Sequence, residues 1–202
     1  MTQRLSGTEG YAEEAQELTV RYERMRQEDV HSPVLHLFPA PPASVLDIGA
    51  GTGRDAAALA ARGYRVVAVE PTRELREAGQ RLHANAKIKW LDDGLPELDR
   101  VLDLDRRFDL VLLTAVWMHL DKEQRRYAMP GVASLIAPGG RLVMSLRHGP
   151  VPEGRRMFPV TAGETTALAD EQGLSTLHNG PGDDAQGRAG VTWTWLVFER
   201  PR

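Results

Sequence analysis

A glycine-rich turn between a short apolar segment and a helical segment is the part of this sequence best suited to bind a ligand. Residues 45–53 read Val-Leu-Asp-Ile-Gly-Ala-Gly-Thr-Gly. Glycine lets the backbone approach a ligand closely and adopt angles that other residues avoid. The helix that follows offers unpaired N–H groups to an anionic group. Because ligands of open α/β sheets bind at the carboxyl ends of the strands, this turn predicts a ligand site.

Glu70 is a second candidate for ligand binding. It stands seventeen residues after Gly53, at the expected end of the next strand. An acid at this position accepts hydrogen bonds from ribose hydroxyls, so the turn and Glu70 together predict a nucleoside cofactor. A dinucleotide turn would place its third glycine where Arg54 stands, and no G-K-[ST] sequence indicates a P-loop.

Further segments extend this pattern along the chain. In their order and intervals they resemble the successive motifs of class I S-adenosylmethionine-dependent methyltransferases: residues 47–53, 69–71, 91–93, 108–111 and 138–142. The resemblance is close over residues 43–147 and loose in the terminal strands. It implies S-adenosyl-L-methionine as the cofactor. It also implies an α/β fold with a Rossmann-like, mostly parallel seven-stranded sheet, helices on both faces and an antiparallel last strand.

The same resemblance implies which residues hold the cofactor. The glycine turn would cradle the methionine part, Glu70 would bind the ribose, and residues 114–117 would line the sulfonium end. Either Asp92 or Asp93 would contact the adenine amino group. The predicted cofactor-binding residues are Asp47, Gly49, Ala50, Gly51, Gly53, Glu70, Pro71, Asp92, Asp93, Thr114 and Ala115.

Polar residues after the fourth and fifth predicted strands are candidates for binding the methyl acceptor. His119 could accept a proton from the acceptor, since imidazole titrates near neutrality, or it could have a structural role beside the next helix. Its apolar neighbours, residues 115–118, do not support a metal site. An arginine suits carboxylates or phosphates. The predicted acceptor-binding residues are Tyr22, Trp117, His119, Arg147 and His148, with His119 as the catalytic candidate.

Alternating apolar strands and helices must position these residues. The pattern predicts a parallel sheet covered on both faces. We expect an N-terminal helical arm and connector over residues 1–42 and one domain over residues 43–202, with a loop at 179–190. The predicted strands are 44–48, 65–69, 87–91, 108–113, 141–146 and 191–199, and the predicted helices are 9–29, 55–62, 73–83, 122–136 and 161–172.

Composition limits the classes of partner. The 202 residues carry 25 basic and 28 acidic side chains, a net charge of −3, which disfavours nucleic acid. The absence of cysteine removes disulfides, thiolate metal ligands and cysteine nucleophiles, and fits a reducing compartment. No secretory signal is visible, and no apolar run reaches the ~20 residues of a membrane helix. A cytoplasmic protein without a membrane partner is therefore expected.

The sequence leaves four functions open. The first is transfer of a methyl group from S-adenosylmethionine to an oxygen or nitrogen of a small molecule. The alternatives are an RNA or protein methyltransferase, a protein that binds a nucleoside cofactor without catalysis, and an NAD-dependent reductase of the same fold class. Residues 114–117 read Thr-Ala-Val-Trp instead of the Asn-Pro-Pro-aromatic motif of DNA and exocyclic-amine methylases, which disfavours those substrates.

Overall fold

A single seven-stranded sheet forms the centre of the protein in a computed structural model that describes residues 7–202. Its strands lie in the order β3-β2-β1-β4-β5-β7-β6, and β7 runs antiparallel to both of its neighbours. The predicted mostly parallel sheet with an antiparallel last strand is confirmed. The strands are β1 Ser44–Ile48, β2 Arg65–Val69, β3 Ile88–Leu91, β4 Phe108–Thr114, β5 Ile136–His148, β6 Ser175–Gly182 and β7 Thr192–Glu199.

Helices flank the sheet, as the alternating pattern predicts. They are α1 Ala15–Glu23, α2 Gln27–Val30, α3 Arg54–Ala61, α4 Arg73–Leu82, α5 Asp99–Leu102, α6 Lys122–Ser134 and α7 Ala162–Asp170. Short 3₁₀ turns occupy Leu35–Leu37 and Trp117–His119.

Two apolar clusters lie on opposite faces of the sheet. Leu110 and Leu112 of β4 join the cluster that contains Leu59 of α3. Val111 and Leu113, which alternate with them, join the cluster that contains Met129 of α6. Since successive side chains of a strand point to opposite faces, this division explains why the central strands are apolar throughout.

The N-terminal arm differs from the single predicted helix over residues 9–29. The chain instead forms α1 and α2, separated at residues 24–26 because Arg26 adopts an extended conformation. Residues 1–6 of the predicted arm lie outside the described part of the chain. Leu18 of α1 packs against Leu75 of α4, together with Tyr11 and Tyr22. This contact lays the arm over the edge of the sheet where β1 and β2 end.

Two other elements differ from the sequence-based prediction. β5 begins at Ile136 and runs through the Pro-Gly-Gly sequence that was expected to separate a helix from a strand. β6 extends to Gly182, into the predicted loop at 179–190. β6 contains glycine and proline, which are poor strand formers. Such residues are tolerated here because β6 is an edge strand, and pairing with β7 supplies its hydrogen bonds.

Candidate functional site

A cavity of about 290 Å³ lies at the edge of the sheet where β1, β2, β4 and β5 end. The glycine turn forms one wall, the N-terminal arm covers it, and loops after β5 and β6 complete it. Most of the predicted site residues line this cavity: Tyr22, Asp47, Gly49, Ala50, Gly51, Glu70, Pro71, Thr114, Ala115, His119 and Arg147.

Five predicted residues are not part of the cavity wall: Gly53, Asp92, Asp93, Trp117 and His148. Two of them were predicted to bind the acceptor. The 3₁₀ turn after β4 directs the Trp117 indole into the core, where it is fully buried. The His148 Nε2 hydrogen-bonds the Thr194 hydroxyl on β7 at 2.9 Å, and His148 faces a separate, smaller cavity.

The other three predicted residues contact neighbouring residues of the protein. A Cβ atom at Gly53 would lie 2.5 Å from the Trp90 ring, so Gly53 allows close packing of the turn on β3. Both Asp93 oxygens accept backbone N–H groups, from Gly94 at 2.9 Å and Val101 at 3.0 Å. Asp92 pairs with Arg76 at 2.9 Å and keeps 49% of its side chain exposed.

The glycine turn has a conformation that side chains would disturb. Gly49 and Gly51 have φ angles of +72° and +60°, in the left-handed region that glycine adopts readily. A Cβ atom at Gly49 would lie 2.5 Å from the Val116 side chain, whereas at Gly51 the nearest atoms, on the Tyr22 ring, are 3.6 Å away. The turn at Gly51 therefore leaves room for a ligand against the backbone.

Glu70 links the end of β2 to this turn. Its two carboxylate oxygens accept the backbone N–H groups of Gly51 and Thr72, both at 2.7 Å. Burial raises the pKa of Glu70 above its usual value, although these hydrogen bonds and Arg76 oppose the shift. Glu70 thus stabilises the turn in addition to facing the cavity.

Asp47 presents a buried carboxylate to the cavity. The residue is 2% exposed, and its Oδ2 has no hydrogen-bond partner within residues 7–202. Burial, reinforced by the nearby charge of Asp55, raises the pKa of Asp47 well above its usual value. Asp55 itself is paired with His31 at 2.9 Å and Arg54 at 2.8 Å. A hydrogen-bond donor or cation bound in the cavity would therefore find an unmatched acceptor at Asp47.

His119 is held by two hydrogen bonds that define its tautomer. Its Nδ1 lies 2.8 Å from the backbone carbonyl oxygen of Arg156, which can only accept, so Nδ1 carries the proton. Its Nε2 lies 3.0 Å from the Tyr11 hydroxyl and therefore accepts from it. Burial lowers the pKa of His119, and burial raises the pKa of Tyr11, so both side chains are neutral near pH 7.

Arg155 fixes the arm that carries Tyr11. Its guanidinium donates to both Glu14 oxygens, at 3.0 and 2.8 Å, and lies 4.3 Å from the centre of the Tyr11 ring. Tyr11 is not among the site residues predicted from the sequence, which favours packing over completion of the pocket as the role of this tyrosine. The contact with His119 spans 108 residues, and no local signal in the sequence indicates it.

The loop after β6 closes the remaining side of the cavity. Arg188 donates to both oxygens of Asp184, at 3.1 and 2.6 Å. The Trp193 indole donates to Asp184 as well, at 2.9 Å. The part of the predicted loop at 183–190 is thus tied to β7 by polar contacts that the glycine-rich sequence did not indicate.

Within residues 7–202, no three His, Asp or Glu side chains lie close enough together to hold a metal ion. No helix within the same residues has the length and apolar character that crossing a bilayer requires.

Comparison with known proteins relates this arrangement to a family. Residues 45–140 match the profile of a methyltransferase domain. An uncharacterized methyltransferase of Mycobacterium tuberculosis is 35% identical over 122 residues, which are 60% of this chain and 46% of the relative. Glycine N-methyltransferase of Rattus norvegicus is 29% identical over 56% of this chain and 46% of the relative. The chain spans about half the length of the curated relatives it matches.

Solved structures share the fold. The 1,6-didemethyltoxoflavin-N1-methyltransferase of Burkholderia thailandensis, with 1,6-didemethyltoxoflavin and S-adenosylhomocysteine bound, superposes with a TM-score of 0.73 at 21% identity, over 95% of this chain and 86% of the other. Magnesium protoporphyrin IX methyltransferase of Synechocystis, with S-adenosylmethionine bound, has a TM-score of 0.69 at 20% identity, over 92% and 83%. Residues 45–140 thus match a methyltransferase domain, and the fold of the chain is the one found in these methyltransferase structures.

Proposed function

We propose that this protein transfers a methyl group from S-adenosylmethionine to an oxygen or nitrogen atom of a small-molecule acceptor. One observation carries the proposal: the cofactor-type glycine turn and the neutral Tyr11–His119 pair open into the same cavity. The similarity to methyltransferases, one of which has 1,6-didemethyltoxoflavin bound, supports both the reaction and the class of acceptor.

The residues of the cavity fit S-adenosylmethionine. Asp47 offers its unpartnered carboxylate oxygen beside the turn, which suits the ammonium group of a methionine part. Gly49, Ala50 and Gly51 would cradle that part, since the turn leaves room there. Glu70 would accept from the ribose hydroxyls. Pro71, Thr114 and Ala115 line the same wall and would contact the remainder of the cofactor.

Of the two acids proposed for the adenine amino group, the contacts favour Asp92. Each Asp93 oxygen already accepts one backbone N–H group and the residue is only 9% exposed, so a ligand could use only the remaining lone pairs of a buried carboxylate. Asp92 keeps half of its side chain exposed at the end of β3. A ligand donor can reach Asp92 without breaking a backbone hydrogen bond.

The chain's contribution to the reaction would be alignment and proton removal. When bound, the cofactor supplies a methyl group on a positively charged sulfur, which makes it reactive toward nucleophiles. Positioning an acceptor against it converts a bimolecular step into an intramolecular one. Tyr22, His119 and Arg147, which line the wall, are the residues we propose for holding the acceptor.

The Tyr11–His119 pair provides a route for the acceptor's proton. The Tyr11 oxygen donates to His119 Nε2 and retains lone pairs that can accept a proton. As the acceptor loses its proton to the Tyr11 oxygen, the Tyr11 proton would move to Nε2. The resulting imidazolium keeps its Nδ1–H hydrogen bond to the Arg156 carbonyl, which favours the charged form. Tyr11 ends the step as a neutral phenol.

Calorimetry and an acceptor screen test the proposal. The chain should bind both S-adenosylmethionine and S-adenosylhomocysteine, and small hydroxy or amino compounds should produce S-adenosylhomocysteine on turnover. RNA and peptide acceptors form the comparison arms. The absence of cofactor binding at millimolar concentration would contradict the proposal, and binding without turnover of any acceptor would favour a non-catalytic cofactor-binding protein.

A further inference from the structure

Arg147 is a buried cation without a matching anion. It ends β5, lines the cavity and is only 9% exposed. One guanidinium nitrogen donates to the Pro150 carbonyl at 2.9 Å, while the buried Nε has no hydrogen-bond partner in residues 7–202. An unpaired buried donor on a charged group is costly, so such a group usually has a partner.

The other partly buried arginines of the cavity wall all have a carboxylate. Arg54 pairs with Asp55 at 2.8 Å, Arg155 pairs with Glu14 at 2.8 Å, and Arg188 pairs with Asp184 at 2.6 Å. No acidic side chain of the described residues forms such a pair with Arg147. Arg147 is thus the exception among these arginines.

The position of Arg147 separates it from the cofactor-binding turn. β5 is the second neighbour of β1 in the sheet, so the two strand ends lie about 10 Å apart. Burial and the neighbouring Arg188 lower the pKa of Arg147, while Asp184 and Tyr11 oppose the shift. These neighbours belong to the β6–β7 loop and the arm, and Asp47 and Glu70 are not among them.

We propose that Arg147 binds a carboxylate of the methyl acceptor, which makes the acceptor a small carboxylic acid with its nucleophilic oxygen or nitrogen directed toward Tyr11 and His119. This inference rests on the proposed function. A guanidinium offers parallel N–H donors that match a carboxylate in a bidentate arrangement. Arg147 stays charged at all physiological pH values, so it can neutralise the acid while the Tyr11–His119 pair remains neutral.

A singly charged anion fits this wall better than a phosphate dianion. Arg188 and Arg155, the other cations on this side of the cavity, are already neutralised by Asp184 and Glu14. A dianion would need one of these pairs to open. One uncompensated cation therefore favours one carboxylate.

Ligand-observed NMR on the protein saturated with S-adenosylhomocysteine tests the inference. The probes are acetate, propionate, benzoate and phenylacetate, each compared with its neutral amide. We expect at least one acid to bind about tenfold more tightly than its amide. Arg147→Met should weaken that acid by about tenfold or more and leave its amide unchanged, and Arg147→Lys should weaken the acid less than Arg147→Met. The exposed Arg126→Met variant is the control and should bind like the parent.

Several outcomes would overturn the inference. Equal binding of acids and amides, or no binding of any acid to the loaded parent, would exclude a carboxylate site. A large loss of S-adenosylhomocysteine affinity in Arg147→Met would assign Arg147 to the cofactor's own carboxylate. Displacement of the bound acid by inorganic phosphate at lower concentration than by acetate would assign the site to phosphate. If the parent does not bind S-adenosylhomocysteine, the proposed function fails instead, independently of Arg147.

Discussion

The two ends of the cavity are built in different ways. At the end that we propose for the cofactor (the cofactor end), Gly51 and Glu70 are 19 residues apart and are joined through a backbone N–H group. At the end that we propose for the acceptor (the acceptor end), Tyr11 contacts His119 across 108 residues, and Glu14 contacts Arg155 across 141 residues, in both cases through side chains. The cofactor end follows from a local motif, whereas the acceptor end exists only after distant segments have packed together.

This difference predicts separate consequences of mutation. Changes at the cofactor end should reduce cofactor affinity, because the turn backbone and its supporting acids form that surface. Changes at the acceptor end should reduce turnover and leave cofactor affinity nearly intact.

Gly51→Val should abolish detectable cofactor binding. Gly51 has a φ angle of +60°, which a β-branched residue adopts only with strain, and the new side chain would fill the space in front of the turn. Calorimetry with S-adenosylhomocysteine measures the loss. Gly173→Val is the matched control, because Gly173 has a φ of +73° with no atom within 4 Å of the added Cβ and lies away from the cavity. Similar binding loss in both variants would show that strain alone is responsible.

His119→Ala should lower kcat by about 10²–10⁴ with cofactor affinity changed by no more than about twofold. The reason is loss of the final proton acceptor. Tyr11→Phe should also lower kcat, since it removes the hydroxyl that contacts Nε2. Tyr64→Phe, which removes a buried hydroxyl bonded to the Pro39 carbonyl at 2.6 Å, controls for loss of stability. Near-parental turnover per folded molecule in His119→Ala would exclude the proton route.

The rate of the parent should depend on pH through His119. Only neutral imidazole accepts a proton, so the rate should fall on acidification. Because burial lowers the pKa of His119, the midpoint should lie below the ordinary value of 6.5. Steady-state kcat between pH 5 and pH 8 measures the midpoint, and Tyr11→Phe should shift it if the two groups act together. A midpoint above 6.5 in the parent would contradict this environment of His119.

Glu70→Gln should weaken cofactor binding by about tenfold to a hundredfold and lower Tm as well. The substitution removes the charge and turns an amide NH₂ toward one of the two backbone N–H groups that Glu70 accepts. Calorimetry and thermal melting measure the two effects. Glu77→Gln, a change of an exposed acid paired with Arg73, should alter neither. Parental affinity in Glu70→Gln would exclude the ribose role.

Asp47→Asn should stabilise the ligand-free protein at pH 7 while weakening cofactor binding. Burial and the charge of Asp55 raise the pKa of Asp47 in the folded state, so ionisation of this carboxyl group at neutral pH favours the unfolded chain, and asparagine removes that cost. Each kcal/mol added to the free energy of unfolding raises Tm by about 2–4 °C in a chain of this size. The gain should shrink as pH falls toward the ordinary value of 3.8, since Asp47 then becomes protonated. A lower Tm of Asp47→Asn than of the parent at pH 7 would contradict a buried, unpartnered carboxyl group at Asp47.

The sequence predicted most of the sheet well, because a strongly apolar strand can be recognised from a short segment of sequence alone. The observed β1 and β2 match the predicted segments 44–48 and 65–69, and β7 begins one residue later than predicted. Edge and terminal elements were predicted less well. β6 forms through pairing with β7 despite its glycines and proline, and the arm bends at residues 24–26 where no proline or glycine indicates a break.

Sequence alone determined the fold class, the glycine turn and the acid at the end of β2, because these depend on local backbone conformation and on the order of strands. Tertiary structure decided which of the candidate side chains reach the cavity. In the folded protein, Trp117 and His148 do not line the cavity. Tyr11 reaches His119 because the N-terminal arm packs on α4 and on Arg155. Side chains that meet across a hundred residues leave no local pattern, since their contact depends on how whole elements pack.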